Sequence, residues 1–485
     1  MSVKRHAGYN LIGSLVPIAL SLLTVPLYLK LVGPDRYGVL AIAWILLGYF
    51  GLFDMGLGRA TSFRIASLRE APREARAAAL WSALCVNVGM GVAGGFVLWG
   101  VAGFFFQNVL KTPDALRPEI MAGVPLLATA VPIATLTGVL SGALQGREKF
   151  LETNAISVVS TALFQLLPLS VAYFHGPDLP FLLAAAIGAR LAAIVALGYR
   201  AHAELLKGLR PRFEKAEIPQ LLKFGGWANL TSIIGPVLII ADRFAIGGVL
   251  GSAALAIYTV PFQLAQRIAI VPGALVNALF PRMTASDPQR RDVLARRSTQ
   301  TLACIVSPIV LVGVLLLEPF LGIWVGPEIG GQAAPAGRLL FLGYWANAFA
   351  LVPFIFLQAS GRPDLPPKMH LIEIPIYLGC LYWAMSHMGL IGCAMVFAGR
   401  CMLDYVLLAA VSGRRFHNPV LLAFNLFLLL AALVLCEHLD VRDLAWWVGA
   451  ASLVGASAAT SWMNLPSDLK HSAVARARAI LAARH

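Results

Sequence analysis

Residues 33–64 decide the fold of this chain: GPDRYG at 33–38 is followed by an apolar span and then by GLFDMGLGRA at 51–60. The Gly-Pro pair predicts a short turn, and the span after it has about 25 residues, enough for a membrane helix. Its far half carries Asp54 and Arg59. A charged side chain at membrane depth is costly unless it faces a bundle interior or a wet cavity. We therefore predict that this helix lines a polar path for a substrate.

The composition predicts a polytopic membrane protein. Of the 485 residues, 59% are hydrophobic and 13% are charged, whereas about a quarter are charged in soluble domains. The apolar stretches are continuous, which favours helices over a barrel whose strands alternate with period two. We predict an all-α protein with about fourteen transmembrane helices, near residues 8–32, 37–62, 79–106, 120–143, 154–174, 180–200, 221–246, 254–279, 298–318, 335–359, 369–387, 390–411, 419–437 and 444–463.

The net charge of +14 is explained by membrane topology and not by nucleic-acid binding. About 26 of the 38 Lys and Arg residues lie in segments on the side of the N-terminus, the asymmetry expected of cytoplasmic loops. Lys4 and Arg5 precede an apolar run that has no cleavage site, so we predict a retained first helix. Both termini are then cytoplasmic.

The cysteines and glycines give no sign of a metal or nucleotide site. All six cysteines lie inside or at the ends of apolar spans, where they act as small hydrophobic residues. Glycine-rich loops of the nucleotide-binding type are absent from the sequence, which argues against a self-contained ATP-driven pump. We expect no cofactor and no metal.

An internal duplication divides the chain. Asn10 and Asn229 each lie seven residues before a proline, and Gly33 and Gly251 each precede a tyrosine, at an offset of about 218 residues. Repeats with an even number of spans share one orientation and enclose a central cavity. The predicted parts are an N-lobe (1–200), a linker (201–220), a C-lobe (221–413), a helix pair (414–465) and a basic tail (466–485).

Polar stripes run along the first helix of the N-lobe and along the fifth. They comprise Asn10, Ser14, Pro17, Ser21 and Tyr28, and then Asn154, Ser157, Thr161, Gln165 and Pro168. Such residues hydrogen-bond between membrane helices, which would explain any one of them. Stripes of this length on several helices favour a wet lumen.

Six bases lie within predicted spans: Arg59, Arg190, Lys223, Arg243, Arg267 and Arg400. Lys223 is close enough to a span end to snorkel, and Arg400 has Asp404 one turn on as an intrahelical partner. Arg243 either pairs with the adjacent Asp242, reaches the membrane interface, or points along the polar face of its helix. Either other helices supply partners to the remaining arginines, or several arginines converge on a mobile anion, which guanidinium groups bind in bidentate fashion.

Four acids also lie within spans: Asp54, Asp242, Glu373 and Asp404. A carboxylate in a cavity of low dielectric constant can carry a coupling proton or sodium ion. The alternative for each is a salt bridge to a neighbouring arginine.

Four segments together resemble the polysaccharide repeat-unit flippases (Wzx type) of the multidrug/oligosaccharidyl-lipid/polysaccharide exporter superfamily. They are Gly33–Gly38, Asp54–Ala60, Gly142–Phe150 and the Asp242-Arg243 pair that precedes Gly251 and Tyr258. The hydropathy and repeat layout extend this resemblance over nearly the whole chain.

The resemblance implies an alternating-access transporter of the bacterial inner membrane, and not an enzyme. Its cargo would be an undecaprenyl-pyrophosphate-linked oligosaccharide, moved from the cytoplasmic to the periplasmic leaflet for surface polysaccharide synthesis. Implied partners are a coupling ion (H⁺ or Na⁺), anionic lipids and a polysaccharide polymerase machinery. The residues predicted to bind cargo are Arg267, Arg59, Arg190, Arg243, Gln263, Asn10 and Asn229, and those predicted to bind the coupling ion are Asp54 and Asp242.

Three other functions fit parts of the pattern. The lipid II flippases are similar in design and also use cavity arginines. A cation antiporter for drugs would favour a cavity dominated by acids, whereas the mid-span charges here are mainly arginine. A membrane-embedded glycan polymerase would hold its catalytic groups in sizeable outer loops, and the predicted outer segments are short and without a His-carboxylate cluster.

Overall fold

The computed structural model describes residues 3–49, 56–215, 238, 240–413 and 418–471, with side chains over 19–47 and from 56 onward. Regular structure in these ranges is helical and contains no strand, so the all-α prediction is confirmed. The helices are α1 (Val3–Tyr49), α2 (Leu57–Ser67), α3 (Arg73–Phe104), α4 (Arg117–Gly146), α5 (Phe150–Phe174), α6 (Leu179–Ala201), α7 (240–249), α8 (Ser252–Gln266), α9 (Ile270–Thr284), α10 (Pro288–Trp324), α11 (Pro327–Ala359), α12 (Leu365–Val411), α13 (Pro419–His438) and α14 (Leu444–Asn464).

Nine helical segments in the described ranges are long and apolar enough to cross a membrane: Arg73–Val109, Asp114–Gly146, Phe150–Phe174, Leu179–Leu206, Ser252–Thr284, Pro288–Trp324, Pro327–Ala359, Leu365–Val411 and Pro419–His438. The polytopic class is confirmed by this result. The predicted total of fourteen spans stays a prediction.

Two of the helices are hairpins that a glycine bends. α1 and α12 each contain 47 residues, and a straight helix of that length would measure about 70 Å, roughly twice the apolar core of a bilayer. Gly33 (φ 77°) breaks α1 and Gly389 (φ 59°) breaks α12, in a backbone region that residues with a Cβ rarely adopt. Both breaks fall where the sequence predicts a turn between consecutive spans.

Two spans predicted as continuous are interrupted. Gly56 is left-handed (φ 71°) and α2 begins after it at Leu57, so the predicted helix 37–62 does not run unbroken to its end. Residues Arg267–Ala269 form a 3₁₀ turn between α8 and α9, inside the predicted span 254–279. Pro272 explains this second break, because it lacks the N–H that an α-helix would donate to the carbonyl of Ile268.

The chain folds into two compact units, Met1–Ala256 and Ile257–His485. In the first unit, α4 packs against α2, α3 and α6, and α1 packs against α5. The cytoplasmic ends of these helices, as predicted from their charges, enclose a core of small and branched side chains, among them Leu57, Ile65, Leu80, Val139 and Leu197. The lobe boundaries predicted from the sequence stay a prediction.

Two turns related by the predicted duplication touch within the first unit. Gly33 and Gly251 both have a positive φ, of 77° and 97°. The Ser252 hydroxyl donates a hydrogen bond to Asp35, and a Cβ at Gly38 would overlap the Ser252 carbonyl. Lys111 joins the contact, because its N–H donates to a carbonyl of α7 and its carbonyl accepts from the N–H of Ser252. The turn inside α1 is thus held to the turn between α7 and α8 by a side-chain hydrogen bond and by the close backbone approach at Gly38.

In the second unit, α11 lies between α10 and α12, and α13 and α14 pack on α10. The rings of Phe262, Tyr344 and Phe397 meet with centroids 5.4 to 5.8 Å apart and join α8, α11 and α12. Large apolar side chains such as Ile323 and Trp383 are exposed along the outside of both units. Exposed apolar surface on this scale is the surface that a bilayer covers.

Candidate functional site

A cavity of about 930 Å³ lies within the first unit, where the start of α2 meets the end of α4. Its volume is in the upper part of the range of ligand sites, roughly 300 to 1,000 Å³. The lining residues are Gly58, Arg59, Ser62, Phe63, Ala66, Arg69, Gly138, Ser141, Gly142, Gln145, Gly146, Arg147, Glu148 and Phe150.

Glycines explain how α2 and α4 approach so closely at this cavity. A Cβ at Gly142 would overlap the carbonyl of Gly58, and one at Gly146 would lie 2.7 Å from the carbonyl oxygen of Ser62. The two backbones are therefore in direct contact, as at other membrane-helix crossings built from small residues. Since no side chain fills the crossing, the longer polar side chains beside it reach the cavity.

The cavity is cationic. Three guanidinium groups line it, those of Arg59, Arg69 and Arg147, against one carboxylate, that of Glu148. Arg59 is exposed and has no hydrogen-bond or ion-pair partner among the described residues. Arg69 pairs with Glu148 at 3.0 Å. A cavity lined by more guanidinium groups than carboxylates suits an oxyanion, to which guanidinium groups donate charge-assisted hydrogen bonds.

Arg147 differs from the other two arginines in its burial. Its Nε is shielded from solvent and has no hydrogen-bond partner among the described residues. A shielded, unsatisfied donor loses about 1 to 3 kcal/mol relative to a paired one. A bound oxyanion within reach would supply the missing acceptor.

The cavity joins two of the segments that carry the family resemblance. Arg59 belongs to the segment 54–60, and Arg147 and Gln145 belong to the segment 142–150. The sequence predicts Arg59 as a site residue but does not identify Arg147, because Arg147 lies past the end of its apolar span. The Gly142–Phe150 motif was the signal that could have identified it.

Arg190 lies elsewhere in the first unit. It is on α6, and its guanidinium carbon is 4.6 Å from the ring centroid of Phe164 on α5. A cation above an aromatic face is stabilised electrostatically, so another helix does supply a partner, though not an acid. Arg190 does not line the cavity that contains Arg59.

Asp242 and Arg243 lie side by side on α7, and both are buried. The N–H of Arg243 donates to the Asp242 carboxylate at 2.8 Å, and the Nε of Arg243 is 3.6 Å from the same oxygen. The structure therefore shows the pairing alternative for Arg243.

Arg267 and Gln263 belong to the second unit. Gln263 lies on α8, and Arg267 begins the 3₁₀ turn one helical turn later, where it is half-buried. A 3₁₀ stretch inside a helix often marks a hinge. The side chain of Asn10 and the whole of Asn229 and Asp54 lie outside the described residues.

The intrahelical pair of Arg400 with Asp404, offered as an explanation for Arg400, is not what the structure shows. Asp404 lies 3.2 Å from the Nε2 of His370 instead. The Arg400 guanidinium lies over the rings of Tyr377 and Phe397, at 5.5 and 5.8 Å. The fold of α12 brings these partners together across its glycine break.

Known proteins resemble this chain in sequence and in fold. The profile of the family of polysaccharide biosynthesis proteins matches residues 3–286, more than half of the chain. The chain belongs to the polysaccharide biosynthesis protein family. The resemblance seen in the sequence is thereby confirmed.

Two relatives by sequence span most of the chain. A "Putative O-antigen transporter" of Shigella flexneri is 28% identical over 410 residues, 84% of this chain and 97% of the relative. The "Uncharacterized membrane protein EpsK" of Bacillus subtilis is 22% identical over 414 residues, 82% of this chain and 80% of the relative.

Solved structures show the fold at lower identity. The lipid II flippase MurJ in an inward closed conformation has a TM-score of 0.70 at 13% identity and covers 94% of this chain and 98% of its own. An inward-facing multidrug resistance MATE family transporter of the MOP superfamily has a TM-score of 0.64 at 15% identity, with coverage of 83% and 97%. The chain therefore has the MATE/MurJ type of transporter fold.

Proposed function

We propose that the chain is a flippase that moves an undecaprenyl-pyrophosphate-linked oligosaccharide from the cytoplasmic to the periplasmic leaflet of a bacterial inner membrane. The observation that carries this proposal is the cavity between α2 and α4, where three guanidinium groups face one carboxylate. The pyrophosphate is the anionic part of such a cargo. Membership of the polysaccharide biosynthesis family and the O-antigen transporter relative support the same class of cargo.

The position of the cavity supports entry from the cytoplasm. It lies at the ends of helices whose connecting segments, 63–78 and 144–153, contain four and two Lys or Arg residues and are therefore predicted to be cytoplasmic. A cargo synthesised on that side would meet Arg59, Arg69 and Arg147 first. The cytoplasmic placement of both termini is part of this proposal.

Several residues predicted to act in transport are not among the described residues that line this cavity. Arg267, Gln263, Arg190, Arg243, Asn10 and Asn229 are proposed to contact the cargo during alternating access, and Asp54 and Asp242 are proposed to bind the coupling ion. The 3₁₀ turn at Arg267 supports a moving role for this position, because it divides α8 from α9.

A drug-cation antiporter is less well supported, although MATE transporters share the fold. A cation would be repelled by the cavity, which has two more guanidinium groups than carboxylates. A lipid II flippase remains the near alternative, because lipid II also carries a pyrophosphate and MurJ shares the fold.

The test is a flipping assay with purified protein in liposomes. A fluorescent polyprenyl-pyrophosphate glycan is placed in one leaflet, and its appearance in the other is followed by reduction with dithionite. We expect flipping by the wild type, little flipping by Arg147→Glu, and wild-type rates for the matched charge reversal Arg212→Glu in an exposed ion pair outside the cavity. Equal rates for both variants, or transport of a cationic dye in place of the glycan, would refute the proposal.

A further inference from the structure

The hairpin of α12 brings three ionisable side chains together in the second unit. His370 and Glu373 lie one turn apart in its first half, and Asp404 is in the second half, after the break at Gly389. Their ligand atoms lie within 4.8 Å of one another. The Nε2 of His370 is 3.2 Å from a carboxylate oxygen of Asp404.

Glu373 is the unusual member of this cluster. Its exposed fraction is 4%, and neither carboxylate oxygen has a hydrogen-bond partner among the residues that the structure describes. A buried, ionised carboxylate without donors is strongly destabilised, whereas the protonated form is tolerated at much lower cost. Asp404 is 6% exposed but has His370 as its partner. The carboxylate of Asp404 therefore has a hydrogen-bonding partner in the cluster, whereas that of Glu373 has none among the described residues.

The charges around this cluster sum to one negative charge before a proton is added. Among the described residues, Arg400 is the cation near the two carboxylates, and with a neutral imidazole on His370 the cluster keeps one negative charge. The Nε of Arg400 has no hydrogen-bond partner in the described structure, and its Nη2 donates to Cys401 at 3.5 Å. One proton, on Glu373 or on His370, makes the buried cluster neutral.

The helix packed against α12 adds no charge. α11 faces it with Phe349, Ala350, Phe354 and Leu357, and residues 345–359 contain no ionisable side chain. On α12 itself, the phenols of Tyr377 and Tyr405 and the thiol of Cys401 also lie near the cluster, and each of these groups is neutral at physiological pH.

We propose that His370, Glu373 and Asp404 form a single-proton site, and that binding and release of this proton couple the flippase cycle to the proton gradient. The coupling role rests on the proposed function; the proton site does not. An imidazole ligand disfavours sodium, which prefers oxygen donors. Glu373 also lines a cavity of about 490 Å³ whose wall is otherwise mostly apolar, and Arg400 is the other charged residue in that wall.

The proton site is tested by infrared difference spectroscopy of the full chain in nanodiscs during pH steps. We expect a protonated-carboxyl band that grows on acidification, is lost in Glu373→Gln, and is unchanged in Glu328→Gln, a matched change at an exposed acid of the same unit. Persistence of the band in Glu373→Gln would overturn the proposal.

A second variant keeps the test valid if Glu373→Gln does not fold. His370→Gln removes the imidazole beside Asp404, and we expect it to move the pH midpoint of the same band by about one unit or more, since a neighbouring charge shifts titration by roughly that amount. An unmoved midpoint contradicts the shared site. Stabilisation of the wild type by zinc chloride, lost in Glu373→Gln, would also overturn the proposal by showing a metal site.

The coupling role is tested separately in liposomes with an imposed pH gradient. We expect the gradient to accelerate flipping by the wild type and by Glu328→Gln, and to accelerate flipping by Glu373→Gln much less, because only the ion site proposed at Asp54 and Asp242 remains in that variant. Equal acceleration of Glu373→Gln and the wild type would refute the coupling. If neither the wild type nor any variant flips the glycan, and the infrared band behaves as expected, then the proposed function is wrong and the proton site is still supported.

Discussion

Replacement of Arg59 or Arg147 by alanine should weaken pyrophosphate binding to different degrees. A charge-assisted hydrogen bond contributes about 1.5 to 3 kcal/mol, and about 1.4 kcal/mol corresponds to a tenfold change in affinity. Arg59 is exposed, so water competes for its donors and the lower figure applies. The Nε of Arg147 is shielded and has no acceptor in the described part of the chain, so the upper figure applies. We expect losses of about tenfold for Arg59→Ala and about a hundredfold for Arg147→Ala.

The assay is titration calorimetry of the purified protein with a short-chain polyprenyl pyrophosphate at fixed ionic strength, because screening changes such affinities. Arg59→Lys keeps the charge but loses the bidentate fork, so its loss should be smaller than that of Arg59→Ala. Arg212→Ala, in an exposed pair with Glu214, is the control and should bind as the wild type does. If Arg59→Ala and Arg147→Ala bind as tightly as this control, the cavity does not hold the pyrophosphate.

Two further predictions concern the stability of each unit. Gly142→Ala should lower the melting temperature, because its Cβ would overlap the α2 backbone and overpacking costs about 1 to 3 kcal/mol. Gly188→Ala is the control and should leave the melting temperature unchanged, because a Cβ there meets open space. Equal melting temperatures for the two variants would contradict the close crossing. Glu318→Ala should also lower the melting temperature, because Arg338 is buried and pairs with Glu318 at 2.6 Å. Glu328→Ala, at an exposed acid, is the control. An equal melting temperature for these two variants would show that the ion pair does not stabilise the protein.

The sequence predicts those features that depend on local pattern. The turns at Gly33 and Gly389 follow from the lengths of the apolar runs and from glycine, and the structure has both. The helix breaks at Gly56 and at Arg267 were missed, since an apolar run gives no sign of a local change in backbone direction.

Contacts between distant parts of the chain were beyond sequence reasoning. Asp404 was assigned to Arg400 because the two lie one turn apart, but its partner is His370, 34 residues away along the hairpin. For Arg190 the sequence left two alternatives open, a partner from another helix or a mobile anion, and the structure has an aromatic ring of the neighbouring helix against its guanidinium group. In both cases the partner belongs to a segment that spacing within one helix does not identify.

The crossing of α2 and α4 separates what can be varied in this protein from what cannot. Gly142 and Gly146 set the distance between two backbones, and a larger residue at either would close the space beside them. Ser62, Ser141 and Gln145 only furnish the wall of that space. A library that aims to redirect the protein to a different glycan should therefore randomise the serines and the glutamine and keep both glycines fixed.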